Sequence, residues 1–298
     1  MSDVTAVQGN GNVDATIHDI GYRRYEGKLL GNAGSFRALY WQGFRALFGF
    51  GRGAKSKVVP VIVLVMTLLP SLGMLTAATA SQGLLPIMYG ALIGQQLIMY
   101  VLFVAAQAPE ILSRDQQQRV LPLLLTRQLT RDSYAAARFA SLATALFVIV
   151  LAPPLLMYIG EIGGAVDPSV TFDKMGHKIW PILAHASITS LVIGALGALL
   201  AALTPRRAYA TAAIIATFLV STAIAAGMED LQGADSRLAL FISPLRAVMV
   251  QAMLLFDEPN RAMELAPPPP VSTFVVYLLG VSAVSLVLYV WRIRRVRV

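Results

Sequence analysis

The segment of this chain that comes nearest to a nucleotide-binding signature is Gly49-Phe50-Gly51-Arg52-Gly53-Ala54-Lys55-Ser56. A phosphate-cradling loop of the form G-x-x-x-x-G-K-[ST] needs its second glycine so that backbone amides can close on the phosphates. Ala54 stands in that place, no buried strand precedes it, and no acidic partner strand for magnesium follows. The segment reads instead as a basic hinge. Metal chemistry fares no better, because His18, His177 and His185 form no H-E-x-x-H and have no carboxylates at ligand spacing. The absence of cysteine excludes a thiolate nucleophile, a Cys-ligated zinc, an iron–sulfur cluster and a disulfide framework. With no G-x-S-x-G either, the chain is not expected to be an enzyme, nor to hold a cofactor or metal of its own.

The remaining chemistry sits inside apolar segments. Gln95, Gln96 and Gln107 are amides within one such stretch, where a glutamine either bridges helices or lines a pathway. Gln95 and Gln96 are therefore candidate lining residues. Met99 joins them, with Met66, Met74 and Met88, as soft apolar lining or as packing filler. His185 falls near the end of another apolar stretch, where an interfacial, hydrogen-bonded imidazole is expected.

The class of scaffold that must hold these residues follows from composition. Apolar residues make up 56% of the 298 and charged residues 13%, about half the charge of an ordinary soluble domain. Six segments are long enough for a hydrocarbon core: Val58 to Ala80, Pro86 to Ala108, Phe139 to Ile159, Ile182 to Leu203, Ala208 to Gly227 and Val271 to Trp291. None contains Asp, Glu, Lys or Arg. The expected fold is an all-α polytopic membrane protein, with residues 1–57 as a cytoplasmic tail and interfacial helix and 58–298 as one six-span domain. The polar start carries no short apolar h-region after a basic stretch, so no cleaved leader is expected and the N-terminus is placed inside.

Charge supports that orientation. With the N-terminus inside, the cytoplasmic stretches hold 19 of the 24 Lys and Arg, and the outer loops hold 9 of the 16 Asp and Glu. This is the positive-inside pattern, at every cytoplasmic stretch. A net charge of +8 would suggest nucleic acid in a soluble protein, but spread over four stretches it sets topology and no nucleic-acid partner is expected. Before the first span, Phe36, Leu39, Tyr40, Phe44, Leu47 and Phe48 share one helical face, with Arg37, Trp41 and Arg45 at its edge. This is the pattern of an amphipathic helix lying on a membrane surface.

The longest cytoplasmic stretch, Pro109 to Arg138, alternates charge around an amphipathic core. Its Ser113-Arg114-Asp115, Arg119 to Leu125, Arg127 to Arg131 and Ala137-Arg138 resemble the loop between the second and third spans of type 2 ABC exporter permeases, with Gln128 and Arg138 departing from the usual proline and lysine. His18 to Gly27 also resembles the start of bacterial permeases of this kind. The resemblance implies a multi-pass subunit of the bacterial cytoplasmic membrane, with both termini inside. It further implies a second permease chain and a separate cytoplasmic ATPase subunit that binds the ATP and magnesium. On that reading Glu110, Arg114, Asp115, Arg119, Leu121 and Arg127 couple to the ATPase. The small residues Gly194, Gly197, Ala198 and Ala201 allow close helix approach, between chains or within one.

Leu238 to Phe256 is nearly long enough to span, yet Pro244 interrupts its backbone ladder and Arg246 sits near its middle. Two short helices broken near Pro244, dipping into the outer leaflet and returning, are expected. In an exporter, Phe241, Leu245, Met249 and Met253 would then form an outer gate, or the segment would be a simple extracellular cap with no gating role. The apolar spans suit an amphipathic or lipid-like substrate. The alternatives are a secondary transporter or channel, or a membrane scaffold that transports nothing.

Overall fold

In a computed structural model of the chain, the residues described are 31–81, 84–118, 129–165, 167–232, 239–258 and 269–296. The expectations for His18 to Gly27, and for Arg119, Leu121 and Arg127, lie outside them. Residues Gly31–Val298 form one compact unit. The described residues contain helices and no strand. Six helices are long and apolar enough to cross a membrane.

The elements in order are α1 (Asn32–Leu47), α2 (Val58–Ala80), α3 (Tyr89–Ile111), α4 (Ser113–Gln117), α5 (Arg131–Gly163), α6 (Pro168–Met175), α7 (Ile179–Leu203), α8 (Arg207–Gln232), α9 (Ala239–Ile242), α10 (Pro244–Leu255) and α11 (Val271–Arg294). The spans are α2, α3, α5, α7, α8 and α11. Helical structure runs past the apolar windows: α5 begins at Arg131 rather than Phe139, and α3 continues through Pro109 rather than stopping at Ala108. Hydropathy marks only the part of a helix that oil would tolerate, whereas capping sets where it starts. Thr130 accepts the Ser133 amide at 3.1 Å and so opens α5 two turns before the apolar stretch.

Burial sorts the spans. About 61% of the apolar window of α3 and of α7 is buried, against 22% for α2, 17% for α8 and 22% for α11. The first two are central, and the last three present apolar side chains such as Ile62, Leu219 and Val276 outward. Central packing depends on small residues. A Cβ at Gly197 would come within 2.1 Å of Val104 Cγ1, and Ala198 and Ala201 are fully buried. The Gly194–Ala201 stripe is thus occupied within the chain, against α3 and α5.

Helix α1 lies along α5. Leu39 and Leu47 are buried, and Phe36, Tyr40, Phe44 and Phe48 pack on the same core. The face assigned by sequence to the acyl boundary therefore meets the bundle itself. Gly43 permits the approach, since a Cβ there would lie 2.6 Å from Ser141 Oγ. Trp41 and Phe50 remain exposed.

The break before the last span falls where expected. Pro244 cannot extend the ladder of α9 but suits the first position of α10, and the Ser243 hydroxyl accepts the Arg246 amide at 3.3 Å to cap it.

Candidate functional site

Of the charged residues that the sequence assigned to the loop after the second span, Glu110, Arg114, Asp115 and Arg138 converge at one end of the bundle. Glu110, on the last turn of α3, gathers three guanidinium groups. Its Oε1 accepts from Arg52 at 2.8 Å and Arg114 at 2.6 Å, and its Oε2 lies 2.9 Å from Arg207 Nη1. These arginines come from the hinge before α2, from α4 and from the start of α8. The Glu110 side chain is only 13% exposed, so the pairing satisfies a carboxylate that would otherwise be expensive to dehydrate.

Asp115, on α4, makes the second cluster. It accepts from Arg138 Nη2 at 2.6 Å and from the Tyr134 hydroxyl at 2.8 Å. Arg138 is buried, and its Nη1 donates to Gln42 of α1 at 2.9 Å. Two further bonds fix α4 to the end of α7: Ser113 Oγ to the Ala201 carbonyl at 2.8 Å and Gln116 Nε2 to the Ala202 carbonyl at 3.2 Å. These carbonyls belong to the last turn of α7, which has no helical donors left for them. A cavity of about 560 Å³ lies beside α4, lined by Gln42, Arg52, Glu110, Arg114, Asp115 and Arg138 among others. Nothing in the cluster is a nucleophile or a metal cage, and no group of three or more possible metal ligands occurs among the described residues. The bonds tie α4 directly to α3, α5 and α7, and through Arg138 and Glu110 to α1 and α8.

Of the expected coupling residues, Glu110 and Asp115 therefore turn inward and are paired, while Arg114, 46% exposed, stays accessible. Arg52, Arg138 and Arg207 were not singled out as their partners. Only the Glu110–Arg114 pair carried a sequence signal, the (i, i+4) spacing, which here bridges the junction of α3 and α4.

At the other end of the spans, Tyr89 donates to Glu161 at 2.7 Å, Lys178 lies 3.8 Å from Glu161, and Glu258 accepts the Ala91 amide at 3.1 Å. Glu258 thereby caps α3, whose own N-cap, Met88, has no side-chain acceptor. A second cavity, about 410 Å³, opens between α3, α8 and the broken pair α9 and α10. Leu245 and Met249, two of the expected gate residues, line it. So do Gly94, Leu97 and the paired Glu229 and Arg246. Another expected gate residue, Phe241, stacks on Phe274 of α11 with ring centres 5.2 Å apart, and Tyr277 donates to its carbonyl.

The candidate pathway residues sit elsewhere. Gln96 is buried and bridges α3 to α2: its Nε2 donates to the Thr67 carbonyl at 2.9 Å and to Ser71 Oγ at 3.2 Å, while its Oε1 accepts from Tyr100. Gln95 is exposed and Met99 packs against the core, and neither lines either cavity. His185 is fully buried within the chain, with Nδ1 3.3 Å from Gln251 Oε1 of α10.

Comparison with protein-family models returns no match for this chain, and comparison with curated proteins returns none either.

Proposed function

We propose that this chain is the permease subunit of an ABC-type exporter. It resides in a bacterial cytoplasmic membrane with both termini inside, works as a pair, and is driven by a separate ATPase subunit docked on the α3–α5 loop. On this reading α1 lies at the inner membrane surface, and α9 and α10 dip into the outer leaflet as part of an outer gate. The cargo is amphipathic or lipid-like. The observation that carries the reading is the seating of α4, whose side chains and immediate neighbours bond to five helices at the end where positive charge accumulates. A loop seated this way passes a push from a docked partner to both central spans. A loop that only set topology would need no such bonds.

The test is to look for an ATP-hydrolysing subunit in the reading frames adjoining that of this chain and to co-express the two, followed by native mass measurement and reconstitution. The expected result is a complex of two permease and two ATPase subunits whose ATP hydrolysis moves amphiphile across the bilayer. A chain that purifies alone and moves solute on a proton or sodium gradient without ATP would overturn the proposal. That outcome belongs to the second reading, ion-coupled transport, which rests on the His185 imidazole buried against Gln251 within the bundle.

A further inference from the structure

The 410 Å³ cavity between α3, α8 and α10 has a particular chemistry. Its walls are apolar: Leu97 of α3, Leu240 of α9, and Leu245, Met249 and Val250 of α10. Gly94 enlarges it, because a Cβ there would already be 3.4 Å from Met249 Cγ. Ile98 and Leu219, 36% and 50% exposed, stand at its rim, so the mouth opens on the flank of the chain where α3 and α8 face outward. The charged residues of its lining are Glu229 and Arg246, which are bonded to each other.

That ion pair stands partly open, with side chains 33% and 29% exposed. A pair in this condition contributes little to stability, because the attraction is largely offset by lost hydration. Both members can be reached from the cavity that they line. An amphiphile with an anionic head would satisfy Arg246 but leave Glu229 against a like charge. A cationic head would do the reverse. A head carrying both charges replaces one ion pair by two and leaves neither side chain unpaired.

We infer that this cavity binds a zwitterionic amphiphile, its chain between α3, α8 and α10, its anionic group on Arg246 and its cationic group on Glu229. That the ligand is cargo rests on the permease reading; that it binds does not. A bilayer phospholipid and a free single-chain amphiphile share this chemistry.

The experiment uses the full chain, delipidated in a nonionic detergent. It is offered dodecylphosphocholine, dodecyl phosphate and dodecyltrimethylammonium, which share one tail and differ in head charge. Retained ligand is read by native mass spectrometry. Wild type is expected to favour the zwitterion by about tenfold. Glu229→Gln should shift the preference to dodecyl phosphate and Arg246→Gln to dodecyltrimethylammonium, which a merely structural ion pair would not do. Should either single variant fail to fold, the exchanged pair Glu229→Arg with Arg246→Glu keeps both charges and should again favour the zwitterion. Gly94→Leu fills the cavity with the ion pair intact and should abolish retention of all three. The same order of ligands in wild type and the charge variants, or undiminished binding in Gly94→Leu, would overturn the inference. Retention of a two-chain phosphatidylethanolamine in a parallel arm identifies the source as the bilayer, and retention of single-chain ligands alone identifies a free amphiphile; either supports the site. Zwitterion binding without ATP-driven movement would count against the permease reading and leave this site standing.

Discussion

Thr211 of α8 donates its hydroxyl to the carbonyl of Ala105 at 2.8 Å, and Ala105 is the residue whose helical donor is missing because Pro109 has no amide hydrogen. The two spans thus share one solution to a backbone problem. In a hydrocarbon setting a carbonyl without a donor is costly, so a hydroxyl on the neighbouring helix becomes part of the ladder. Thr211→Val should lower stability in detergent by about 1 kcal/mol. In a Pro109→Ala background, where the Ala105 carbonyl regains an amide donor from its own helix, the same substitution should cost much less. A cycle of the four proteins by thermal unfolding checks the coupling, and an equal cost in both backgrounds would show that the hydroxyl and the proline are unrelated.

Glu110 and Arg207 join the ends of the second and fifth spans at 2.9 Å, with Arg52 and Arg114 on the same carboxylate. Glu110→Gln keeps the shape but leaves three guanidinium groups facing one another without a counter-charge. The arginines are partly exposed, so water recovers some of the loss. The expected drop in melting temperature is about 3–6 °C, corresponding to about 1–2 kcal/mol for a chain of this size. Arg114→Gln, removing one of three guanidinium partners, should shift it by less than half as much. A larger effect for Arg114→Gln than for Glu110→Gln would contradict a cluster centred on the carboxylate.

The spans were legible because hydropathy alone specifies them, and the break at Ser243-Pro244 because a proline after a small polar residue starts a helix rather than continuing one. What sequence could not supply was pairing between distant positions. Glu110 and Arg114 are four residues apart across the junction of α3 and α4, but nothing in their spacing names Arg52 or Arg207 as further partners. The Gly194–Ala201 stripe announced a close approach without saying to what, and the structure directs it to Val104 and its neighbours. That the His185 imidazole would be hydrogen-bonded was legible, but its partner Gln251 was not, because it comes from α10, beyond the break. Sequence offered Gln95 and Gln96 alike as bridging or lining amides; that Gln96 is the one that bridges, to Thr67 and Ser71, follows only once α2 and α3 are known to pack together.

Asp115 and Arg138 offer a sharper test of what the α4 region does. Reversing Asp115 in order to disturb docking would strand the buried Arg138 guanidinium, whose charged partner is that carboxylate. Breaking such a pair from one side is expected to cost about 3 kcal/mol or more. Asp115→Asn should therefore lower expression and melting temperature, whereas Arg114→Glu, which changes the accessible charge, should leave folding nearly intact and, on the proposed permease reading, reduce coupling to the ATPase. Measuring monodispersity and ATP-driven flux for both variants separates the roles. A well-folded Asp115→Asn that only loses flux would place Asp115 at a docking surface rather than in the scaffold.

Topology can be read directly, because the chain contains no cysteine of its own. If Lys and Arg set the orientation, the end of the bundle bearing Glu110 and Asp115 faces the cytoplasm and the end bearing Glu161 and Glu258 faces out. Single cysteines at Ser169, in the exposed start of α6, and at Asp257, just after α10, should both react with a membrane-impermeant maleimide in intact cells. Single cysteines at Asn32 and Arg295 should react only after permeabilisation. The Asp257 position carries the most information. It lies beyond the break at Ser243 and before α11, so its labelling from outside requires α9 and α10 to return to the side on which α8 ends. Protection of Asp257 together with labelling of Arg295 would mean that this segment crosses, giving seven passages and an outer C-terminus against the charge distribution.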